Sequence, residues 1–378
     1  VRISENYYKP IGITFLWFVV LLWTFKNIGN LHSFSSILQA TNHLDVGWYQ
    51  RIAVEGYKLH PHISDGQSTV FFPLFPMIAS PLIHVLGLDP LLALNILQKL
   101  SLILMVVLVY RWALLEKFSP KESLLALLLH PALVFFLVPY TESLYLCCLF
   151  GLLLSWRIKN VGFILFSALL LGLCRPTGLF VIPAAGFTLL HRAYVSLHNS
   201  EQRGKMFSYP AAKALLADFE FRATLRFVLS ASLGAVLAVG LVALVMHLSV
   251  GDWFAFYRYR YLWNETPGFQ NFVSFLNLDL GSRFPRIIVT WLALWGSYLL
   301  LQAGRVFEGF LCIVSLLLPA YQGKMGDIIR YSLGAAPAWI MLYERSKHSR
   351  IIHMSLIAFS TSTAIALVAS WLKREWVG

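Results

Sequence analysis

The sequence predicts an all-α, polytopic transmembrane helical bundle. Of 378 residues, 58% are hydrophobic and only 13% charged, against about 25% charged in an ordinary soluble domain. Mean hydropathy is +0.68. Apolar runs recur along the whole chain, several of them near the roughly 20 residues that cross a bilayer. Such a composition leaves too little polar surface to cover a soluble fold of this size. It excludes a disordered chain, a nucleic-acid-binding module and a conventional soluble enzyme. The net charge of +12 then belongs to topology and anionic lipid headgroups, with no nucleic acid as partner.

The first run, 11–28, is long enough to cross and lacks a small-residue cleavage site, so it reads as an anchored helix and not a signal peptide. Further runs follow at 91–111, 122–138, 143–156, 161–174, 178–190, 227–248, 284–303, 306–320, 331–343 and 351–371. The shorter ones need shielding by neighbours or snorkelling flanks. Together they make about ten or eleven spans in one transmembrane domain covering the chain. Residues 71–87 hold Pro73, Pro76 and Pro81, which make a poor straight span. They are expected as a membrane-surface helix inside a large first extracytoplasmic loop, 29–90, the alternative being a kinked span.

Charge sets the expected sidedness. With the amino terminus inside and 71–87 not crossing, one side receives Arg111, Lys117 and Lys121, then Arg157 and Lys159, then a basic loop over 191–226. Arg305, Arg345, Lys347 and Arg350 fall there too, as the positive-inside rule requires. Lys373 and Arg374 run against it if the last helix crosses. The protein is therefore expected as a multi-pass integral membrane protein of a prokaryotic plasma membrane, or of the endoplasmic reticulum in a eukaryote. Its four cysteines, Cys147, Cys148, Cys174 and Cys312, all sit in apolar runs and read as small buried hydrophobes.

Ionisable residues within apolar sequence are costly and mark candidate sites. They gather in islands at 42–57, 68–76, 139–145, 174–180, 251–264 and 323–332, all facing outward under this topology. Asp45 lies beyond the first span beside Trp48, Tyr49 and Tyr57. A carboxylate desolvated among aromatics becomes a better base, and aromatic faces suit sugars. Capping a helix from Val46 is the plain structural alternative. Glu142 likewise reads either as functional or as a cap on the 143–156 helix. Arg175 stands alone in an uncharged stretch and needs an anion, either Glu142 or a phosphate. Asp327 and Arg330 are spaced to pair on one helical face. Arg258 and Arg260, between Tyr257, Tyr259 and Tyr261, read as an anion contact or as an interfacial belt. His60, His62 and Asp65 make a weak metal signal. Asn264 to Thr266 is a glycosylation sequon that matters only in a eukaryote. Walker, dinucleotide-binding, GxSxG and zincin motifs are absent from the sequence.

Taken in order, these islands resemble the PIG-V-type GPI mannosyltransferase family and its prokaryotic relatives, within the GT-C class of membrane glycosyltransferases. The pattern is carried by Asp45, Trp48, Tyr49, Ile52, Ala53, Gly56 and Tyr57, then Phe71, Phe72, Pro73, Leu74 and Pro76. Tyr140 to Ser143, then Gly251, Asp252, Ala255 and Phe256, then Arg330 and Tyr331 continue it. Three departures are visible: Asn42 and His43 before Asp45, Asp327 at a more often Ser-like position, and Pro176 after Arg175.

The resemblance implies a GT-C-type bundle and a donor of polyprenyl-phosphate sugar, most often mannose. It implies transfer to a lipid or glycolipid acceptor at the extracytoplasmic face, with inversion. Asp45 is implied as general base, and Glu142 as a second catalytic residue that holds the acceptor, an arginine or a metal. Trp48, Tyr49, Tyr57, Phe72, Tyr140, Arg175, Asp252, Arg258, Asp327 and Arg330 are the expected substrate-binding residues. No cofactor is firmly implied, and a divalent metal stays open. Two rivals stand: a related enzyme with another polyprenyl-phosphate sugar, and a lipid transporter or flippase, for which inverted repeats and broken mid-membrane helices would be the signature.

Overall fold

The structure is a computed structural model, described here over residues 8–59, 67–198, 215–260, 268, 270–271 and 284–375. Every element among the described residues is helical. Five helical segments are long and apolar enough to cross a membrane: Pro90–Leu115, Pro176–His198, Phe219–Val250, Phe284–Gln302 and Arg350–Leu372. The chain therefore has the build of a helical integral membrane protein.

The amino-terminal part runs through α1 (Tyr8–Ile28), α2 (Phe34–Ala40), α3 (Val46–Glu55) and α4 (Leu74–His84). Three prolines begin and interrupt the 71–87 stretch, and only eleven residues, α4, are helical there. Phe75 and Ala79 are buried while Met77 and Ile78 face outward. α5 (Pro90–Leu115) starts where Asp89 accepts from the Leu92 amide at 3.0 Å, with Pro90 pre-set for the first helical position.

The run 122–138 is not the single helix its hydropathy suggests. It is α6 (Pro120–Leu128), a turn, and α7 (Val134–Leu137). Pro131 denies the helix a donor and pushes His130 out of helical geometry. Backbone carbonyls freed in an apolar setting need donors. Gln98 and Lys99 on α5 supply them, donating to the carbonyls of Phe136 (2.8 Å) and Leu137 (2.6 Å).

α8 (Glu142–Arg157) and α9 (Val161–Cys174) follow, then a 3-10 turn at Pro176–Phe180 leading into α10 (Val181–His198). α11 (Phe219–Val250) is capped by Asp218 and ends at Gly251, whose φ of 77° only glycine adopts freely. These ends shorten the loop expected over 191–226: Arg192 lies on α10, and Arg222 and Arg226 lie on α11. Most of the remainder, with the sequon and the His60 to Asp65 stretch, falls outside the described residues.

α9 and α11 pack through small residues. A Cβ on Gly172 would stand 2.7 Å from that of Ala238, and one on Gly234 would strike the Leu165 carbonyl. Close approach of this kind is how helices associate where lipid removes the hydrophobic drive.

A short α12 (Ala255–Arg258) precedes α13 (Phe284–Gln302), α14 (Val306–Tyr321), α15 (Ile328–Tyr331), α16 (Ala336–Ser346) and α17 (Arg350–Leu372). The run 331–343 is also interrupted, by a 3-10 turn at Ser332–Ala335 between α15 and α16. At one end of the bundle Glu116 holds both Arg157 and Arg305, which ties the tail of α5 to the tail of α8 and the head of α14. Asp45, Glu142, Arg175 and Arg330, from four of the ionisable islands, meet at the other end.

Candidate active site

Asp45 occupies the residue before α3, but its side chain makes no cap bond. Its carboxylate Oδ2 accepts from Arg330 Nη1 at 2.7 Å. The Asp45 amide donates to the Tyr140 hydroxyl at 3.1 Å, which fixes the start of α3 against the turn before α8. Glu142 opens α8, where the exposed amides of the first turn favour a carboxylate. Its Oε1 accepts from Arg175 Nη1 at 2.5 Å and also from Arg330 Nε. Arg175 reaches it because Pro176 forces the preceding residue into extended geometry, φ −154° and ψ 152°, at the end of α9.

The four groups form one chain: Arg175, Glu142, Arg330, Asp45. Aromatic rings flank the cations. Arg330 lies 4.5 Å from the ring centre of Tyr140 and 5.3 Å from that of Phe135, and Arg175 lies 5.6 Å from that of Tyr331. Glu142 is the buried member of the row, its side chain 1% accessible against 17% for Asp45. The pairing of Asp327 with Arg330 along one helical face is not formed. Arg330 turns instead to carboxylates brought from distant parts of the chain.

A cleft of about 140 Å³ opens over Asp45, Arg175 and Arg330. Tyr49, Phe71, Phe72 and Asp327 also line it. Burial pushes the Tyr49 hydroxyl well above the usual phenol range, so it is a neutral donor at ordinary pH.

Other expected site residues lie elsewhere. Glu142 sits beneath the arginines and lines a separate small recess, so it positions cations and does not itself face the Asp45 cleft. Tyr140 is buried under Arg330. Tyr57 donates to the Phe71 carbonyl at 2.8 Å and is structural. Trp48 stacks on Phe71 at 6.0 Å, behind the cleft wall. Asp252 and Arg258 pair with each other at 3.2 Å outside the cleft. Arg260 lines it in place of Arg258 and bonds Gln322 at 3.3 Å.

Asp45 is therefore not a carboxylate isolated among aromatics, since a guanidinium stands on it. That same donor set fits a divalent cation poorly, because each carboxylate of the chain already faces a guanidinium. Among the described residues no three His, Cys, Asp or Glu side chains converge as metal ligands.

What the arrangement offers is a partly open carboxylate beside two cations in an aromatic cleft, a setting for proton removal next to a developing anion. Compared with known proteins, the chain matches no family model and no curated sequence.

Proposed function

We propose that the chain is a membrane glycosyltransferase of the GT-C kind, which moves a mannosyl residue from a polyprenyl-phosphate donor to a lipid or glycolipid hydroxyl. The observation that carries this reading is the cleft in which Asp45, Arg175 and Arg330 meet beside Tyr49, Phe71 and Phe72. In the reaction Asp45 takes the acceptor hydroxyl proton, and the oxygen attacks the anomeric carbon. The bond from that carbon to the phosphate oxygen breaks, and its electron pair leaves with the polyprenyl phosphate, inverting the centre. Arg330 and Arg175 receive the charge that develops on the phosphate. Arg330 therefore shifts part of its bonding from Asp45 to the donor, which frees the carboxylate to act. Glu142 holds both cations at the height of the phosphate.

In this reading the passes are α1, α5, α6 with α7, α8, α9, α10, α11, α13, α14, α15 with α16, and α17. The end that carries Arg157, Lys159 and Arg305 is cytoplasmic by the positive-inside rule. The Asp45 cleft is then extracytoplasmic, at the level where a polyprenyl phosphate presents its headgroup.

Membranes holding the protein, given labelled polyprenyl-phosphate mannose and membrane lipid extract, are expected to yield a labelled lipid. Asp45→Asn is expected to lower the rate by about 10²- to 10⁴-fold while donor binding stays near normal. A near-normal rate in that variant would overturn the base assignment. Parallel incubations with other polyprenyl-phosphate sugars identify the donor.

One observation favours the transporter reading. Two passes are broken, at 129–133 and at 332–335. Lipid translocation without a glycosylated product would decide for it.

A further inference from the structure

Another cavity lies at the end of the bundle remote from Asp45 and takes no part in the chemistry above. It holds about 300 Å³ between the last turn of α8, the start of α9 and the first turns of α11. Its walls carry Arg157, Lys159, Arg222 and Arg226 against one carboxylate, Glu220. Arg157 is engaged by Glu116, and Lys159 lies 4.8 Å from the ring centre of Phe219. Arg222 and Arg226 are exposed and make no side-chain hydrogen bond or ion pair among the described residues. The floor is aromatic, with Trp156 stacked on Phe227 at 4.2 Å.

The cleft continues into an apolar surface. Arg222, Arg226, Leu229, Leu233 and Val236 follow on α11 at alternating spacings of four and three, so one helical face runs from two guanidiniums to exposed aliphatic side chains. Phe163 and Phe166 are exposed on the neighbouring α9. A free anion would use only the guanidiniums, whereas a lipid uses both halves of this surface. A headgroup that carries its own cation would set that charge against four others.

We propose that this cleft binds the phosphate of an anionic phospholipid, with Arg222 and Arg226 as its ligands and the outer faces of α9 and α11 receiving the acyl chains. The site lies in the leaflet opposite the Asp45 cleft and does not depend on the enzymatic reading.

The test is lipid titration of the purified full-length protein in detergent, read by native mass spectrometry. Phosphatidylglycerol is expected to bind, and phosphatidylcholine is not. The double variant Arg222→Ala with Arg226→Ala is expected to weaken phosphatidylglycerol about thirtyfold, and Glu220→Gln to strengthen it. Inorganic phosphate at the same concentration is expected to leave the bound lipid in place. Unchanged affinity in the double variant, or equal binding of phosphatidylcholine, overturns the proposal. Displacement by inorganic phosphate makes this a soluble-anion site and overturns it as well. An unchanged unfolding temperature shows that the double variant is folded. If it is not, the Glu220→Gln titration decides alone, and no gain in affinity refutes the site.

Discussion

Arg330 joins the two carboxylates of the site: its Nη1 serves Asp45, its Nε serves Glu142, and its plane covers the Tyr140 ring. Removing it leaves Asp45 without its cation and Glu142 with Arg175 alone, both with little solvent. Arg330→Met is therefore expected to destabilise the protein by about 3–5 kcal/mol, seen as a lower unfolding midpoint in detergent. Arg330→Lys is not expected to restore it, because an ammonium cannot present two fixed donors in one plane. Part of this site was legible in the sequence. Asp45, Arg175 and Arg330 stand out because an ion in apolar sequence requires a partner, and here they partner one another through Glu142. The choice of Arg260 over Arg258 was not legible. Both alternate with tyrosines, and only the four-residue turn of α12 decides which one reaches the cleft. Phe256 and Tyr331 also line the cleft, but the sequence shows them only as parts of the family pattern, because one aromatic among many in a membrane chain does not mark a binding wall.

For single elements, hydropathy located the helices better than it located their breaks. Averaged over 122–138, the apolar content hides Pro131, although the His130–Pro131 step is itself a helix-ending signal. The interruption at 332–335 is fainter still, since Gly334 and Pro337 are each tolerated near helix ends. Contact between helices depends on single small side chains. Gly234→Val places atoms where the Leu165 carbonyl stands and should force α9 away from α11. The expected cost is about 1–3 kcal/mol, measured as a lower unfolding midpoint. Gly240→Val is the control. It lies on the same helix with open space around it and is expected to leave the midpoint unchanged.

Taken whole, the molecule has two chemically distinct ends. One gathers the Asp45 chain, and the other gathers Glu116, Arg157 and Arg305 with the basic cleft of α11. Contacts between helix ends join Glu116 to Arg157 and Arg305, and separately join Asp45, Arg330, Glu142 and Arg175. Which end faces outward is testable by cysteine labelling. The four native cysteines are buried, so background is low. Lys58→Cys and Lys121→Cys carry probes at highly exposed positions, 65% and 79% accessible. An impermeant thiol reagent added to intact cells is expected to label the first and not the second. The reverse pattern would move the Asp45 cleft to the cytoplasm.

Two guanidiniums and two carboxylates make the linked row around Glu142 neutral as it stands. A monoanionic guest tips that balance by one unit, in surroundings where screening is weak. Added salt should therefore weaken the binding of a polyprenyl phosphate here less than it weakens anion binding at the exposed Arg222 and Arg226.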